Sequence, residues 1–420
     1  MRHEIDTSEH GPLGETMADA VSTCVHCGFC LSACPTYQEL GRETDSPRGR
    51  IILMKEVLEG SLPIETAAPH IDACLGCLAC VPACPSEVAY GDLISPFRAI
   101  HESERKRPLG DRFKRAMAQW TLPYPKRFRL AAATGRWFKP IARLMPKPVR
   151  VMLDLLPDKI PKRQPLRDFY PATGLKRGRV ALLVGCAQTV LDPDINAATI
   201  EVLNRNGIEV VVPKTQGCCG ALSWHVGNLK EAQKFANQNL DAFTDDVDAI
   251  VTNAAGCGSG LHEYGLILKG TPDEQRAVDF SARVCDVSVY LEKLENLSPF
   301  ADSTSPQTVA YHDACHLANA QGVRSEPRRL LERVPGLKLV EIADGHLCCG
   351  SAGTYNMDQP EIADSLGSQK AANVIATGAD VVAMGNIGCL TQLTNQLHQA
   401  NSKIKARHTM QVLRDAYRKG

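Results

Sequence analysis

Apolar residues recur at two different spacings along the chain, and the change of spacing divides it into regions. Between residues 47 and 60, the segment PRGRIILMKEVLEG places apolar residues at helical intervals. Beyond about Gly178, short apolar runs typical of β-strands alternate with helical segments, as in βαβ units around a parallel sheet. The pattern predicts an α+β multidomain chain, with a mainly helical N-terminal domain followed by an α/β region.

The α/β region contains an internal repeat. RVALLVGCAQ matches TVAYHDACHL, EVVVPKTQGCCG matches KLVEIADGHLCCG, and DAIVTNAAGCG matches DVVAMGNIGC. The two copies differ in length only by short insertions between corresponding cysteines. Duplication therefore predicts two α/β domains with parallel sheets. In each copy the cysteines follow strand-like runs, and open α/β sheets bind ligands beyond the carboxyl ends of their strands. We therefore expect three cysteine-bearing segments of each copy to converge.

Composition and charge narrow the class of protein. The 420 residues are 44% hydrophobic and 22% charged, which is typical of a soluble globular protein. Lys+Arg and Asp+Glu both number 47, so no net charge steers the chain toward nucleic acid. The N-terminal segment lacks the hydrophobic region of a secretory signal, and no run of 18 apolar residues predicts a membrane-spanning helix. These features predict a cytoplasmic protein with at most peripheral membrane attachment.

The cysteines of the N-terminal region form one motif that occurs twice. Residues 24–35 read CxxCxxCxxxCP, and residues 74–85 repeat that spacing without change. This is the spacing of bacterial ferredoxins with two 4Fe-4S clusters, in which the fourth cysteine of each motif ligates the other cluster. The predicted ligand sets are therefore crossed: Cys24, Cys27, Cys30 and Cys84 for the first cluster, and Cys74, Cys77, Cys80 and Cys34 for the second.

Two other interpretations of these eight cysteines are weaker. Structural zinc sites normally combine two CxxC pairs from separated strands, which is not the spacing here. Disulfides are rare in a reducing compartment, and cysteines this close would form strained loops. We accordingly predict a two-cluster ferredoxin domain over residues 1–104, a basic aromatic connector over 105–177, and cysteine-rich domains over 178–300 and 301–420.

A second group of cysteines recurs in the two α/β copies. Each copy has one cysteine, then an adjacent pair followed by glycine, then a further cysteine: Cys186, Cys218, Cys219 and Cys257, and Cys315, Cys348, Cys349 and Cys389. Glycine after the pair lets the backbone fold close behind two thiolates that face one ion. These motifs resemble the CCG, or cysteine-rich, domains of heterodisulfide reductase-like proteins. The resemblance makes these eight cysteines candidates for a third metal or iron-sulfur centre.

The family pattern ends in CxxC, and its last cysteine is absent from both copies. Gly260 and Gln392 stand at that position. Candidate replacement ligands are the histidines His225, His312 and His316. The alternative is that the CCG cysteines are buried structural residues, since free cysteine is commonly buried.

Other motifs indicate what this chain lacks. Cys285 stands alone in ARVCDVSVYL and is predicted to be a core residue. GCGSG at 256–260 is not GxGxxG, so we predict no nucleotide site there. Without a flavin or nicotinamide motif, we predict no flavin on this chain and assign no catalytic residue. A partner subunit would then carry out the two-electron chemistry.

Over essentially its whole length the chain resembles the glycolate oxidase iron-sulfur subunit family. The matching segments include SPRGRI at 46–51, GCCGALSWHVGN at 217–228 and HLCCGSAGTYN at 346–356. The resemblance implies the electron-transfer subunit of a membrane-associated, FAD-dependent glycolate (2-hydroxyacid) dehydrogenase, which oxidises glycolate to glyoxylate. It also implies FAD-containing partner subunits, quinone or another electron acceptor, and a location at the inner face of the cytoplasmic membrane.

Several alternatives stay open at this point. Similar motif arrangements occur in the anaerobic glycerol-3-phosphate dehydrogenase iron-sulfur subunit, in lactate-utilisation proteins and in heterodisulfide reductases. A thiol-disulfide reductase acting at the CCG sites is disfavoured by the missing last cysteines. A nucleic-acid-binding role is disfavoured by the neutral total charge, so we predict no nucleic-acid partner.

The connector has a composition of its own. Between Arg105 and Arg150 it carries 14 Lys or Arg and one acid, Asp111. Aromatic rings are interspersed among these charges: Trp120, Tyr124, Phe128, Trp137 and Phe138. Basic and aromatic residues together favour contact with an anionic membrane surface through residues 105–150. The alternative is a linker that wraps the ferredoxin domain or contacts an acidic partner.

Overall fold

The computed structural model describes residues 1–157, 159–301 and 306–418. Residue 158 of the predicted connector, and residues 302–305, 419 and 420 of the second predicted cysteine-rich domain, lie outside the described residues.

Short helices around one apolar core form the N-terminal module. They are α1 (Gly14–Thr23), α2 (Pro35–Leu40), α3 (Pro47–Leu58), α4 (Ile64–Asp72) and α5 (Gly91–His101), with 3₁₀ turns at Thr7–Leu13, Glu43–Asp45 and Glu102–Glu104. The predicted helix between residues 47 and 60 is α3, and the Ser46 side chain caps it by accepting a hydrogen bond from the Gly49 amide at 3.0 Å. Met17, Met54 and Leu93 are fully buried in the core between α1, α3 and α5.

The connector is helical and lies against both neighbours. It contains α6 (Leu109–Thr121), α7 (Pro125–Phe138), a 3₁₀ turn at Lys139–Leu144 and α8 (Lys147–Asp154). Arg105 and Arg107, just before α6, pair with Asp72 of α4 at 2.6 and 3.1 Å. The Gln119 side chain of α6 accepts a hydrogen bond at 2.6 Å from Asn228 of the α/β region. The connector therefore joins the two regions through specific contacts.

Strands and helices alternate through the first half of the α/β region. Its elements are β1 (Phe169–Tyr170), β2 (Gly178–Leu183), α9 (Gln188–Leu191), α10 (Asp194–Arg205), β3 (Ile208–Val211), α11 (Ala221–His225), α12 (Leu229–Ala242), β4 (Ala249–Thr252), α13 (Ala255–His262), α14 (Tyr264–Ile267), α15 (Glu274–Ala282), β5 (Val284–Asp286) and α16 (Val287–Glu292).

The second half follows the same plan. Its elements are β6 (Gln307–Tyr311), a π-helical turn (His316–Ala320), α17 (Ser325–Glu332), β7 (Leu337–Glu341), α18 (Tyr355–Asp358), α19 (Pro360–Ala376), β8 (Val381–Met384), α20 (Ile387–Gln399), β9 (Lys405–His408) and α21 (Thr409–Arg418).

The two halves have the same sheet topology. The first sheet has the order β1-β3-β2-β4-β5 and the second the order β7-β6-β8-β9, with β2 corresponding to β6. All pairs are parallel except the β1–β3 pair, so β1 adds an antiparallel edge strand from the segment predicted as connector. Corresponding residues occupy corresponding register positions: Val180 opposes Ala249, and Val309 opposes Val381. The predicted α+β architecture with repeated parallel-sheet units is confirmed.

The two halves share one hydrophobic core. Val180 and Leu203 of the first half belong to the same buried cluster as Tyr311 and Met410 of the second. Helices α10 and α21 close this interface, where Arg414 pairs with Asp194 at 2.6 Å. Since the core is continuous, the duplicated units fold together as one body.

Candidate metal centres

The two ferredoxin-like loops have the same backbone conformation. In the loop that starts at Cys24, residues His26 and Gly28 have positive φ angles of 58° and 86°. In the loop that starts at Cys74, residues Gly76 and Leu78 at the same positions have φ angles of 65° and 56°. His26 and Leu78 are not glycines, so each loop holds a conformation that costs about 1–3 kcal/mol and is characteristic of functional sites.

The first predicted ligand set surrounds one cavity. Its four members line the cavity, together with Cys80 of the second set: Cys24, Cys27, Cys30 and Cys84. Cys27 is exposed, whereas Cys24 is buried between α1 and the loop. Burial, and then the neighbouring Cys24 and Cys84 thiols, raise the pKa of Cys30 to about 11. Four soft thiol donors around one cavity are the donors that iron-sulfur clusters take, so these residues fit the predicted group.

The second predicted ligand set lies deeper in the protein. Burial, together with the nearby Cys77, Cys74 and Cys34 thiols, raises the pKa of Cys80 well above its usual value. Cys34, from the first motif, thus lies with the three leading cysteines of the second motif. The structure brings together the residues that crossed ligation requires, and these thiols also fit a cluster.

A buried cation lies beside the second set. Arg50 of α3 is 1% exposed, and its guanidinium donates to the Thr36 hydroxyl at 2.9 Å and lies 3.8 Å from the Cys34 sulfur. Although burial opposes it, the positive charges of Arg50 and Arg98 lower the pKa of Cys74. The segment SPRGRI carries Arg50, but sequence reasoning assigned it no role, because its proximity to Cys34 depends on the fold.

In the first α/β half the predicted cysteines converge beyond the carboxyl ends of β2, β3 and β4. The Cys186 and Cys218 sulfurs are 3.5 Å apart. Hydrogen bonds from the Cys218 and Cys257 thiols lower the pKa of Cys219 well below its usual value. The four sulfurs therefore form a connected group, as the duplicated motif predicted.

The second half gathers its cysteines in the same way. Sulfur contacts join Cys315 to Cys348, Cys348 to Cys349, and Cys349 to Cys389. The Cys389 sulfur lies in the first turn of α20 and accepts a hydrogen bond from the Asn386 side chain at 3.4 Å. Among the described residues, one set of at least three ligand-type side chains has donor atoms within 4.8 Å of one another, and it consists of His312, Cys349 and Cys389.

Glycine after each cysteine pair is required by the backbone. Gly220 and Gly350 have φ angles of +79° and +81°, in the left-handed region that favours glycine. A Cβ atom at Gly350 would lie 2.4 Å from the Ala363 carbonyl oxygen. The turn that points both cysteines into the cleft therefore excludes a larger residue.

The positions where the family pattern has its last cysteine are occupied differently in the two halves. At Gly260 an added Cβ would meet the Ala221 Cβ at 2.5 Å, so α11 packs directly on this position. The Gln392 amide donates to the Ala363 carbonyl at 3.2 Å and accepts from Asn356 at 3.4 Å. Neither residue supplies a donor to the sulfurs.

The three candidate histidines have different surroundings. His316 contacts the Gly76 carbonyl oxygen through Nε2 at 3.0 Å, and His225 lies 3.4 Å from the Ser95 hydroxyl through Nδ1. Only His312, of these three, lies in the sulfur group described above.

His225 also lies within 3.8 Å of the Glu263 carboxyl. Burial lowers the pKa of His225 to about 3 and raises that of Glu263 to about 8. At pH 7 the imidazole and the carboxyl are therefore both uncharged, although they are close enough to form an ion pair.

The second ferredoxin-like loop is bound to the second α/β half. Asn319 donates to the Cys77 carbonyl at 3.0 Å, and the Tyr355 hydroxyl donates to the Ala73 carbonyl at 2.8 Å. Cys77 shares a buried apolar cluster with Cys348 and, at its edge, Cys315. No sequence motif predicted this contact, because the residues involved are more than 240 positions apart.

Cys285 and the GCGSG segment, both singled out in the sequence, lie in the first α/β half. Cys285 lies on β5, packs against the shared core, and has a pKa raised to about 12 by burial. GCGSG at 256–260 forms the start of α13 beside the first cysteine group.

The fold and these sites define a class of protein: a two-cluster ferredoxin module fused to a duplicated, cysteine-rich α/β unit. Two family profiles match these regions. One, described as "4Fe-4S dicluster domain", covers residues 20–88, and the other, described as "Cysteine-rich domain", covers residues 180–262 and 309–394. The predicted iron-sulfur character is thereby confirmed.

Curated relatives identify the family more closely. The "Probable glycolate oxidase iron-sulfur subunit" of Bacillus subtilis is 38% identical, over 94% of this chain and 93% of the relative. The "Glycolate oxidase iron-sulfur subunit" of Escherichia coli is 36% identical, over 96% of both chains. The chain belongs to the glycolate oxidase iron-sulfur subunit family, as the sequence motifs predicted.

Two further similarities are weaker, because one covers a smaller part of this chain and the other has low sequence identity. "Lactate utilization protein A" of Oceanobacillus iheyensis is 31% identical over 58% of this chain and 98% of the relative. A crystal structure of a hypothetical protein from Helicobacter pylori aligns with 98% of this chain and 76% of its own, at a TM-score of 0.50 and 9% identity, and so shares the fold alone. Among the described residues, no helix has the length and apolar character needed to cross a membrane.

Proposed function

We propose that this chain relays electrons from an FAD-containing partner subunit that oxidises glycolate to glyoxylate, and passes them toward quinone. Clusters of the 4Fe-4S type exchange single electrons, whereas oxidation of a hydroxyacid requires a two-electron acceptor such as flavin. The names of the two full-length relatives favour glycolate as the substrate of the complex. The observation that carries the relay is the contact of the second ferredoxin-like loop with the second cysteine group.

The proposed relay uses the crossed ligand sets. The first is Cys24, Cys27, Cys30 and Cys84, and the second is Cys74, Cys77, Cys80 and Cys34. The first set opens to solvent at Cys27, whereas Cys77 and Cys80 of the second are buried. The first set would therefore be the one nearer the surface, and the second set the one next to the α/β region.

We assign the exposed edge of the first set as the place where the flavin partner docks. Val25 and Phe29, on either side of Cys27, are 66% and 65% exposed. Apolar side chains that remain in water beside a redox site favour burial against a partner protein. Docking there would bring the flavin close to the first set.

The relay is tested on the full complex, prepared anaerobically with its flavin partner and mixed with glycolate in the absence of an acceptor. We expect flavin bleaching, followed by the electron paramagnetic resonance signals of reduced clusters. In Cys27→Ala, flavin bleaching should persist while cluster reduction becomes much slower. Cys285→Ala, which removes a thiol far from both loops, is the control.

Two results would contradict the relay. One is cluster reduction in Cys27→Ala at the rate of the control. The other is the absence of glycolate-dependent cluster reduction in the unmodified complex.

We further propose that the connector attaches the complex to the inner face of the cytoplasmic membrane, where quinone is the acceptor. Most large apolar side chains that are exposed among the described residues fall between residues 109 and 149. On α6, Leu109, Phe113 and Trp120 recur at helical spacing and are 81%, 69% and 58% exposed. Helices with exposed apolar stripes and basic flanks are suited to lie in the membrane interface.

A second apolar stripe continues the surface. Along α7 and the following 3₁₀ turn, Leu130, Trp137 and Leu144 are 65%, 85% and 87% exposed. Arg127 of α7 reaches back to α6, with its guanidinium 4.9 Å from the centre of the Trp120 ring. Not every basic residue of the connector belongs to this surface. Arg105 and Arg107 pair with Asp72 of the ferredoxin module.

Vesicle binding tests the membrane proposal. We expect the full-length protein to sediment with vesicles that contain anionic phosphatidylglycerol, and less with neutral phosphatidylcholine vesicles. The double variant Trp137→Ser, Leu144→Ser should lose binding. Leu175→Ser, at a side chain 85% exposed outside the basic segment 105–150, should retain it. Equal sedimentation of all three proteins would contradict the proposal.

A further inference from the structure

His312 is a buried histidine for which the described part of the chain provides no side-chain partner. It follows β6 directly and is 1% exposed. Its backbone amide continues the sheet by donating to the Ala383 carbonyl at 2.9 Å, but neither Nδ1 nor Nε2 makes a hydrogen bond to any described residue. A buried polar group without a partner costs about 1–3 kcal/mol, so each such group calls for an explanation.

The ring is directed at the sulfurs of the second cysteine group. A ring nitrogen and the Cys349 and Cys389 sulfurs all lie within 4.8 Å of one another. Cys348 and Cys315 extend the same group through the sulfur contacts described above. All five side chains belong to the second half, so the site is built within one sheet and the loops that follow its strands.

The first half has no equivalent imidazole. In the aligned repeats, RVALLVGCAQ and TVAYHDACHL, His312 corresponds to Leu183, which is buried in the apolar core. His312 is therefore not a shared feature of the duplicated fold. It occurs in the half where Gln392 replaces the last cysteine and turns its amide toward Ala363 and Asn356.

We propose that His312 is a direct ligand of an iron-sulfur centre held by Cys315, Cys348, Cys349 and Cys389. The imidazole supplies the fifth donor that the absent cysteine does not. Four thiolates favour iron-sulfur chemistry, and imidazole is an accepted ligand beside them. The two halves would then differ chemically, with a mixed thiolate and imidazole site only in the second.

A neutral imidazole in place of a thiolate leaves the centre with one negative charge fewer. Replacement of Cys by His ligands raises the reduction potential of iron-sulfur centres. The proposed centre lies beside Cys77 of the second ferredoxin-like loop. It is thus expected to have a higher potential than an all-cysteine equivalent, which favours its reduction from that loop.

The test uses the full-length protein, purified anaerobically and uniformly labelled with ¹⁵N-histidine. Pulsed electron paramagnetic resonance of the reduced protein should show a histidine nitrogen coupled to one centre. Iron should exceed the roughly eight atoms of two cubanes. In His312→Ala the nitrogen coupling should disappear and the excess iron should fall.

The matched control is His408→Ala. His408 is also buried and ends strand β9 of the same sheet, but both ring nitrogens have partners, the Asn253 carbonyl at 2.7 Å and the Met410 amide at 3.1 Å. The control should keep both the coupling and the iron. A second variant, His312→Cys, separates ligand loss from misfolding, because it should retain the centre without nitrogen coupling and with a lower reduction potential.

Three results would overturn the proposal. The first is iron content of about eight atoms in the unmodified protein, which leaves no further centre. The second is nitrogen coupling that persists in His312→Ala. The third is zinc, rather than iron, in the second cysteine group. None of these depends on glycolate oxidation, so the proposal can fail while the relay stands.

Discussion

Arg50 shows how one buried charge can influence a cluster site. It lies beside Cys34 and favours the ionised form of Cys74. A positive charge stabilises the reduced cluster, which is the more negative state. We expect Arg50→Met to shift the potential of the second ferredoxin cluster to more negative values, measured by redox titration with electron paramagnetic resonance.

The control for this variant is Arg50→Lys, which keeps the charge. Removing the cation also takes the guanidinium, 3.7 Å away, from the buried Asp45 carboxyl, which keeps its contact with His70 Nδ1 at 2.9 Å. Breaking a buried ion pair in this way costs roughly 3–5 kcal/mol, so Arg50→Met should also lower the apparent melting temperature. A potential that is the same in the Met and Lys variants would contradict the electrostatic role.

Glu263 makes the stability of the protein depend on pH. Burial raises the pKa of this carboxyl to about 8, from an ordinary value of 4.5. The folded state therefore holds a proton that the unfolded state releases. The associated stability is fully present below pH 4.5 and is lost as pH rises toward 8, by about 1.4 kcal/mol per pH unit.

Glu263→Gln should remove this loss, because a glutamine does not ionise. The apparent melting temperature of the variant, relative to the unmodified protein, should rise progressively between pH 5 and pH 8. Glu295→Gln, at an exposed carboxyl, serves as the comparison and should leave the pH profile unchanged. A Glu263→Gln profile parallel to that of the unmodified protein would show that Glu263 ionises normally.

At the scale of elements, the turn after each cysteine pair has a strict requirement for glycine. Gly350 combines a left-handed φ with close approach to the Ala363 carbonyl oxygen, whereas Gly378 has a left-handed φ of +65° with nothing within 4 Å of an added Cβ. Gly378→Ala should cost about 1–2 kcal/mol from backbone strain alone. Gly350→Ala should cost more and also displace Cys348 and Cys349.

Melting temperature and iron content together distinguish these effects. Both variants should melt at a lower temperature than the unmodified protein, but only Gly350→Ala should lose the iron proposed for the second cysteine group. If Gly378→Ala lost as much iron, the iron loss in Gly350→Ala would result from general destabilisation and not from displacement of the two cysteines.

Much of the arrangement of strands and cysteine-bearing loops was predictable from the sequence. Strand-like runs before Cys186 and Cys315 predicted parallel strands, and the carboxyl ends of such strands place the following cysteines in one cleft. The spacing of residues 24–35 and 74–85 likewise predicted the two loops. The antiparallel strand β1 was missed, because it consists of only Phe169 and Tyr170 within a connector of different composition.

The remaining features depend on contacts between distant segments. The direction in which His312, His225 and His316 point is set by packing, so the sequence offered all three as equal candidate ligands. The attachment of the loop at Cys77 to the second half was not predictable either, since hydrogen bonds to backbone carbonyls leave no residue pattern on the carbonyl side.

The whole molecule depends on two interfaces that involve buried tyrosines. Tyr417 of α21 accepts a hydrogen bond from the Asn206 side chain at 3.1 Å and closes the core shared by the two α/β halves. Tyr355 of α18 donates to the Ala73 carbonyl at 2.8 Å, directly before Cys74, and fixes the ferredoxin module on the second half. The first interface holds the halves together, and the second positions a ligand loop.

Replacing each tyrosine with phenylalanine separates these two functions. Tyr355→Phe removes the hydrogen bond to the Ala73 carbonyl, and Tyr417→Phe removes the contacts of its hydroxyl with the Asn206 amide, so each should lose about 1 kcal/mol of stability. Only Tyr355→Phe releases the backbone next to Cys74, and it alone should alter the signal of the second ferredoxin cluster and slow electron transfer from that cluster to the centre proposed for the second cysteine group. Rapid-freeze electron paramagnetic resonance after substrate reduction measures both quantities. An identical cluster signal and identical kinetics in the two variants would mean that the module's attachment does not control the relay, and that the loop holds its geometry without the second half.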